Sequence, residues 1–397
     1  MTLFVFGLAT PVSAGAASRA YAATRTSGDT VIEMRAGETR EIVLKYKNAG
    51  ASAWKNSGRG FLSLYATRPY KRKSAFWRSD WYSRLQPARL QEKSVAPGKT
   101  GTFTFTLHAP FDPGAYVEQF QLAAENVDWV WGSAVRVTIK VLPELVTADT
   151  PVNAKAWFVM DAETGEPLLE QNADDVRSIA SITKLMTVMV AREQGANEDA
   201  VVALQRSDEV GGGRLRVPVG TKLTVRNLAA SAVVGSANNA ANALARSTGL
   251  PKDAFVEKMN GKAAALGLAS TSFADPTGIK VENRSTAREV ARMARTAFAD
   301  PWIAEFAARP EYEVATARGP RSIKNTNKLV GDEAIEVVAG KTGFIYEAGY
   351  TLVTRLKKEG RPELIIVVLG SDSQRLTFRD TKALAERAWA ENSSQPL

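Results

Sequence analysis

A serine and a lysine three residues apart could together perform nucleophilic chemistry in the second half of the chain. Ser181-Ile-Thr-Lys184 opens an apolar segment that is predicted to form a buried helix. Residues three apart share a helix face, so the hydroxyl of Ser181 and the amine of Lys184 should be adjacent. An ammonium among apolar side chains is unfavourable unless its pKa falls or it is paired. Lys184 is therefore predicted to be a base that activates Ser181, whose own N–H at the helix N-terminus could bind an oxyanion.

In the alternative, purely structural interpretation, Ser181 is an N-cap and Lys184 is near it by chance. It fits poorly, because a capping box has a glutamate or glutamine at that spacing. A cation in the first turn also opposes the helix dipole.

Two further motifs complete an ordered set. Ser236-Ala-Asn238 lies where an apolar helix meets a helix of small residues, and Lys341-Thr-Gly343 lies on a predicted strand. The front half contains a second pair, Ser52-Ala-Trp-Lys55 and Lys99-Thr-Gly101. No Ser-x-Asn separates its members, and neither Ser52 nor Lys55 lies on a predicted helix. We interpret the front pair as coincidence.

The composition excludes several other chemistries. The 397 residues include no cysteine and a single histidine, His108. Disulfides, thiolate zinc sites, iron–sulfur clusters and cysteine nucleophiles are therefore excluded, and so is a two-histidine metal site. A Ser-His-Asp triad could form only with His108. A hydrolase built from this chain is expected to use a base other than imidazole.

Two regions of different charge must position these motifs. Residues 27–142 contain seventeen Lys and Arg against ten Asp and Glu, whereas residues 143–397 contain thirty-two of each sign. Period-two alternation at 102–107 and 135–141, with frequent turn signals, predicts an all-β sandwich over 27–142. A linker is predicted at 143–153, followed by a second domain at 154–397.

Residues 1–26 form a signal-like segment. Residues 3–12 are apolar but too short to span a bilayer, and small residues follow them. This pattern resembles the second half of a secretory signal without its positive start; the alternative is an apolar tail. We expect an exported protein, periplasmic or at the cell surface, without a nucleic-acid partner.

A basic cluster, Arg68-Pro-Tyr-Lys-Arg-Lys73, stands beside aromatic residues in the front domain. It could hold an anionic cell-wall polymer or stack on sugars. The alternative is a solvated hairpin with the tryptophans in the core. The front domain resembles tryptophan-rich Ig-like modules fused to bacterial surface enzymes, and five of the eight tryptophans of the chain lie in it: Trp54, Trp77, Trp81, Trp129 and Trp131.

The ordered set Ser-x-x-Lys, Ser-x-Asn and Lys-Thr-Gly resembles the active-site serine penicillin-binding enzymes. The surrounding residues, including Asp275-Pro-Thr-Gly278 and Asn325-Thr-Asn-Lys-Leu329, are similar to those of the low-molecular-mass D-alanyl-D-alanine carboxypeptidases, serine peptidase family S11, over about 154–392. The resemblance implies an α/β (α+β) domain: an antiparallel sheet flanked by helices, with a helical subdomain that holds Ser236. It implies no metal or cofactor.

The family motif also implies roles, residue by residue. Ser181 would form the acyl-enzyme, Lys184 would take its proton, and Ser236 would relay a proton towards the leaving D-alanine. These three are the expected catalytic residues.

Five other residues are implied in substrate binding. Asn238 would hold the base and the substrate backbone. Lys341 would lower the pKa of the base and attract the terminal carboxylate of the substrate, to which Thr342 would donate a hydrogen bond. Gly343 would let the peptide approach the strand edge, and the N–H of Phe344 would complete the oxyanion hole.

The expected activity is that of an exported serine-type D-Ala-D-Ala carboxypeptidase, which trims peptidoglycan stem peptides and is inhibited by β-lactams. A D,D-endopeptidase acting on cross-links remains an open alternative. A class A-like β-lactamase uses the same three motifs, but its Glu-x-x-Leu-Asn motif has no match, and Ser236-Ala-Asn238 departs from Ser-Asp-Asn. An alternative of another class is a non-catalytic cell-wall-binding protein.

Overall fold

The computed structural model describes residues 19–68 and 73–391, and the chain divides after Leu145 into two compact units. Most of the signal-like segment (1–18) and the centre of the basic cluster (69–72) lie outside the described residues. No helix in the described part of the chain is long and apolar enough to cross a membrane.

The first unit is built from strands. They are β1 (Ala23–Ser27), β2 (Val31–Arg35), β3 (Thr39–Asn48), β4 (Trp54–Lys55), β5 (Leu62–Arg68), β6 (Ala88–Arg89), β7 (Ser94–Val95), β8 (Thr100–His108), β9 (Gly114–Ala124), β10 (Asp128–Trp129) and β11 (Val135–Leu142).

Two sheets of this unit share one core. One has the order β1-β3-β8, and the other has the order β2-β11-β9-β5-β6 with β10 paired to β9. The alternation that predicted strands at 102–107 and 135–141 puts every second side chain inside, as in Phe103, Phe105, Val137 and Ile139. The prediction of an all-β front region is confirmed.

The tryptophans of the first unit divide between its core and its surface. Trp54 and Trp81 are buried, whereas Trp129 is 48% and Trp131 59% exposed. Trp77 is half-buried, and the ammonium of Lys73 lies 3.7 Å from its ring centroid. The two most exposed tryptophans of this unit are therefore not Trp77 and Trp81, which follow the basic cluster, although Tyr82 beside it is 62% exposed.

The second unit combines strands and helices. They are β12 (Ala156–Asp161), β13 (Pro167–Gln171), β14 (Arg177–Ser178), α1 (Thr183–Glu193), β15 (Val201–Ala203), β16 (Lys222–Thr224), α2 (Val225–Val233), α3 (Asn238–Ser247), α4 (Lys252–Ala265), β17 (Arg284–Ser285), α5 (Ala287–Phe298), α6 (Pro301–Ala307), β18 (Glu311–Val314), β19 (Arg321–Lys324), β20 (Glu336–Ile345), β21 (Gly349–Lys357), β22 (Leu364–Ser371) and α7 (Gln374–Glu391).

An antiparallel sheet of order β13-β12-β22-β21-β20 forms the centre of this unit. All eight residues of β22 are buried, because the sheet is covered on both faces. Ile365, Val367 and Leu369 face the core that contains α1 and α5, whereas Leu364 and Ile366 face the core that contains α7. The predicted α+β fold with a flanked antiparallel sheet is confirmed.

The segment just before β12 packs against α7. The buried carboxylate of Asp380 accepts hydrogen bonds from the backbone N–H groups of Asn153 and Ala154, both at 2.9 Å. The guanidinium of Arg387 donates to the carbonyl of Ala148 at 3.1 Å. The end of the predicted linker is thus fixed to the second unit.

We expect a fragment that begins at Val146 to unfold cooperatively and to be more stable than one that begins at Lys155. The shorter fragment lacks the two N–H donors, so the carboxylate of Asp380 loses partners, a change of about 1–3 kcal/mol in the free energy of unfolding. Urea denaturation measures both values. As a control, Asp380→Asn should destabilise the longer fragment more than the shorter one. Equal unfolding free energies of the two fragments would contradict this account.

Candidate active site

Ser181 lies in a single 3₁₀ turn, Ala180–Ile182, that leads directly into α1. The preceding residue, Ala180, has φ +47°, a left-handed conformation that is uncommon for a non-glycine residue. Gly278 packs against it: a Cβ built on Gly278 would lie 1.9 Å from the carbonyl oxygen of Ala180. Only glycine fits there, and this close contact supports the strained turn that presents Ser181.

The side chains of Ser181 and Lys184 meet as the three-residue spacing predicts. Nζ of Lys184 lies 2.7 Å from Oγ of Ser181 and donates a second hydrogen bond, also 2.7 Å, to the carbonyl of Thr277. Lys184 is fully buried. Burial, followed by the positive charge of Lys341, holds the pKa of Lys184 well below its usual value, while Asp275 acts in the opposite direction. A lysine amine in this state can accept the proton of a serine hydroxyl.

A second lysine–serine pair comes from two other elements. Lys341 on β20 donates hydrogen bonds of 2.8 Å to Oγ of Ser236 and to the carbonyl of Thr342. Lys341 is only 1% exposed, and burial lowers its pKa to about 7. Ser236, between α2 and α3, has φ +55°. Both cleft serines therefore contact a buried lysine. Ser181 directly follows a residue with a left-handed backbone conformation, and Ser236 has that conformation itself.

Gly343 brings strand β20 close to the nucleophile. A Cβ at this position would lie 3.0 Å from the backbone nitrogen of Ser181 and 2.5 Å from Oγ1 of Thr351. The absence of a side chain is what lets the sheet edge lie against the start of the helix. Gly343 thus lies on the edge strand β20 beside the start of α1, and its role in admitting the substrate peptide stays a prediction.

These residues line a cleft of about 290 Å³. Five of the eight predicted site residues lie on its wall, and Lys184 and Lys341 lie behind the two serines that they contact. Aromatic rings form part of the rim, with Phe344 and Tyr350 stacked at a centroid distance of 4.3 Å. The wall residues from the prediction are Ser181, Ser236, Thr342, Gly343 and Phe344.

Asn238 makes a different side-chain contact from the one expected with Lys184. The hydrogen bond predicted between Asn238 and Lys184 does not form in the described part of the chain. Nδ2 of Asn238 instead donates to the carbonyl of Gly211 at 2.8 Å, and Gly212 packs against the same amide group. The side-chain oxygen of Asn238 is buried without a partner among residues 19–68 and 73–391. The amide is held by a neighbouring glycine loop that sequence spacing could not reveal.

Two contacts of the site were not predicted. Thr277 supplies the carbonyl that Lys184 contacts, and Thr326 on the cleft wall accepts a hydrogen bond of 2.6 Å from the hydroxyl of Thr342. Asp275-Pro-Thr-Gly278 and Asn325–Leu329 contributed to the family resemblance, but nothing in their spacing connects them with the serine motifs. The only local signal in either segment was Gly278, a residue type that is typical of turns.

His108 and the second motif pair lie in the first unit. Nε2 of His108 is 2.9 Å from a carboxylate oxygen of Asp80, and Nδ1 is 3.2 Å from the hydroxyl of Thr39. Lys55 lies on β4 and Lys99 directly precedes β8. Among the described residues, no group of three or more histidine and acidic side chains could hold a metal ion.

Comparison with known proteins gives consistent matches for the second unit. Residues 144–373 match the family Peptidase S11, described as D-alanyl-D-alanine carboxypeptidase. A D-alanyl-D-alanine endopeptidase of Pseudomonas aeruginosa is 37% identical over 239 residues, which cover 59% of this chain and 76% of the relative. The D-alanyl-D-alanine carboxypeptidase DacF of Bacillus subtilis is 29% identical over 262 residues, which cover 63% and 66%.

A solved structure has the same fold in this region. The crystal structure of the Streptomyces K15 DD-transpeptidase matches with a TM-score of 0.57 and 31% identity, covering 60% of this chain and 98% of that chain.

The buried lysine pair predicts the pH dependence of the nucleophile. The rate of acylation of Ser181 by a penicillin should rise with pH as the coupled lysines lose protons, below the ordinary pKa of lysine. Lys341→Met removes a positive charge that lowers the pKa of Lys184. The rising limb of the profile of acylation rate against pH should therefore move to higher pH by roughly one unit. Intact-mass analysis of the adduct over time measures these rates.

The matched control for this profile is His108→Gln, which removes the only imidazole of the chain. Because His108 contacts Asp80 and Thr39 in the first unit, the limb should stay where it is. Loss of the rising limb in this variant would refute the assignment of lysine as the base.

Proposed function

Because the chain belongs to the serine peptidase family S11 of D-alanyl-D-alanine carboxypeptidases, we propose that its second unit is a serine-type D-Ala-D-Ala peptidase that acts on peptidoglycan stem peptides. The observation that carries this conclusion is the contact of 2.7 Å between Oγ of Ser181 and Nζ of the fully buried Lys184, on the wall of a cleft. This geometry gives the serine a base without a histidine or a metal.

In the proposed reaction the cleft residues act in sequence. Lys184 takes the proton of Ser181 as Oγ attacks the carbonyl of the penultimate D-alanine. The N–H groups of Ser181 and Phe344 stabilise the oxyanion. Ser236, in contact with Lys341, passes a proton to the leaving amine. Water then releases the acyl group, and Ser181 is regenerated.

The leaving group decides between the two peptidase activities. For a carboxypeptidase, the terminal carboxylate of D-alanine would bind near Thr342, close to the positive potential of Lys341. With a pKa of about 7, the amine of Lys341 is only partly protonated at neutral pH. The carboxypeptidase remains our principal proposal, with β-lactams as inhibitors that acylate Ser181.

One observation favours the endopeptidase as a second candidate. Among the described residues, no arginine or lysine lines the cleft, so a free terminal carboxylate would meet chiefly hydroxyl groups there. A cross-link whose leaving amine carries no neighbouring carboxylate needs no such cation. The Pseudomonas aeruginosa relative is also named as an endopeptidase.

The first unit is proposed to be an Ig-like domain that retains the enzyme on anionic wall material. Its support is the excess of seventeen basic over ten acidic residues at 27–142, with Arg68 and Lys73 exposed at the two ends of the basic cluster. We further propose that the protein is exported, to the periplasm or the cell surface. The apolar segment 3–12 and the extracytoplasmic position of peptidoglycan support this location.

Ser181→Ala should reduce the hydrolysis of D-Ala-D-Ala substrates at least about a thousandfold, because the acyl-enzyme cannot form. Two substrates are assayed with the parent and the variant: a soluble pentapeptide, by release of D-alanine, and a D,D-cross-linked muropeptide dimer, by appearance of monomers. Ser52→Ala is the matched control and should retain the parent rates. Hydrolysis by Ser181→Ala at the parent rate would exclude this serine as the nucleophile.

These two substrate assays, together with intact-mass analysis of the penicillin adduct, separate the alternatives. Release of D-alanine from the pentapeptide supports the carboxypeptidase, whereas cleavage of the dimer alone supports the endopeptidase. A penicillin adduct that is hydrolysed rapidly indicates a β-lactamase. Inactivity on both substrates without any adduct indicates a non-catalytic wall-binding protein.

Neutralising the basic cluster should weaken retention on purified cell walls without changing kcat on the pentapeptide. Exposed charge contacts are screened over about 8 Å at physiological ionic strength, so parent retention should fall as salt rises. The four changed residues are Arg68, Lys71, Arg72 and Lys73, each replaced by Gln.

A control variant with the same loss of charge replaces four exposed basic residues elsewhere in the unit: Lys45, Lys47, Lys55 and Arg59. Stronger loss in the cluster variant than in this control supports a specific site. Equal retention of the cluster variant and the parent would mean that the cluster is only a solvated loop.

A further inference from the structure

A buried carboxylate organises the loop beside the nucleophile. Asp275 is 1% exposed, and its Oδ1 accepts hydrogen bonds from the backbone N–H of Thr277 at 2.6 Å and of Gly278 at 3.0 Å. Its Oδ2 accepts from the backbone N–H of Lys280 at 2.9 Å and from Nδ2 of Asn283 at 2.8 Å. The hydroxyl of Thr277 also donates to Oδ1. Five donors thus hold one carboxylate.

These donors keep Asp275 ionised. Burial alone would raise the pKa of Asp275, but hydrogen bonds from Thr277, Lys280 and Asn283 outweigh it and lower the pKa below its usual value. A full negative charge is therefore fixed inside the second unit.

The loop that Asp275 holds is attached to α1. The carbonyl of Thr277 accepts a hydrogen bond from Nζ of Lys184 at 2.7 Å, and the carbonyl of Pro276 accepts one from the hydroxyl of Thr187 at 2.6 Å. Gly278 lies against the carbonyl of Ala180. One side chain thus orders three consecutive residues, each of which contacts the helix or turn that carries Ser181 and Lys184.

The charges that act on Lys184 come from two sides. Lys341 on β20 disfavours the ammonium form, and Asp275 in the loop favours it. The remaining groups in hydrogen-bond contact with its amine, the hydroxyl of Ser181 and the carbonyl of Thr277, are neutral. Asp275 is therefore the charge placed to stabilise Lys184 when it becomes an ammonium.

We propose that Asp275 is a positioning residue for acyl transfer, which through Thr277 fixes the carbonyl that orients Lys184 and which stabilises the ammonium formed during attack. This inference rests on the proposed function. In the step concerned, Oγ of Ser181 forms a bond to the acyl carbon and its proton passes to Nζ of Lys184. The scissile C–N bond breaks, and a proton passes to the leaving nitrogen. Asp275 thus takes the part of the carboxylate in a Ser-His-Asp triad, with a backbone carbonyl interposed.

The test is the pH profile of acylation by benzylpenicillin, followed by intact mass, in the parent and three variants. In Asp275→Asn the loss of negative charge disfavours the Lys184 ammonium, so the rising limb should move about one unit to lower pH. The plateau rate should fall about tenfold, because the amine is less basic and less well oriented. Thr277→Val keeps the charge of Asp275 but removes one donor, so its plateau should fall while the limb stays in place.

Asp208→Asn is the matched control. Asp208 is also a buried aspartate of the second unit, but it pairs with Arg246 at 2.8 Å and does not act on Lys184. Its pH limb should coincide with that of the parent. This variant separates the effect of any lost buried carboxylate from the effect of Asp275.

The outcomes are distinguishable. A parent that is not acylated at Ser181 refutes the proposed function itself. An acylated parent, together with a folded Asp275→Asn variant whose limb and plateau equal those of the parent, refutes only the role of Asp275. If Asp275→Asn does not fold, as judged by thermal unfolding, Thr277→Val decides. A lowered plateau supports the proposal and a parent rate overturns it.

Discussion

The burial of two lysine amines beneath one small cleft is the condition on which the rest of the second unit depends. A lysine ammonium removed from water is destabilised, so its pKa falls towards neutrality only if the surrounding elements exclude solvent. The two amines are supplied by α1 and β20, and the serines that they contact lie at the start of α1 and between α2 and α3. Helices must therefore cover the sheet, and the helical subdomain must close over its edge, before either serine can be activated.

The same arrangement explains why the backbone is strained where it is. Ala180 and Ser236 both adopt left-handed φ angles, and each lies at or beside a cleft serine. Such conformations persist only when neighbouring structure determines them. Gly278 and Gly343 provide this for Ala180 by backbone approach: a Cβ on either would lie within 3.0 Å of backbone atoms at Ile179, Ala180 or Ser181. For Ser236 the neighbour is Gly213, where a Cβ would lie 2.9 Å from the carbonyl oxygen of Ser236. Side-chain chemistry and backbone packing are therefore specified together around the nucleophile.

Sequence reasoning identified what local pattern determines. The alternation of apolar residues placed the strands, and the spacing of Ser181 and Lys184 placed both on one side of a helix start. It could not identify contacts made by loops that are distant in sequence. The carbonyl of Thr277 lies 93 residues from Lys184, and the amide of Asn238 is held by a glycine loop that has no periodicity of its own. The sequence also did not predict that Trp129 and Trp131 are exposed, because composition gives the number of aromatic residues and not the face of the sheet on which each ring lies.

The central strand β22 separates two apolar cores, since alternate side chains enter opposite sides of the sheet. On one of these sides the cover is α7, whose Leu384, Ala385 and Trp389 lie in the same core as Leu364 and Ile366. Because α7 follows all five strands in the chain, a sheet that forms before this helix docks leaves that face without its helical cover. An uncovered apolar sheet face of this kind is prone to self-association. Docking of α7 is therefore the step that removes this apolar face from solvent.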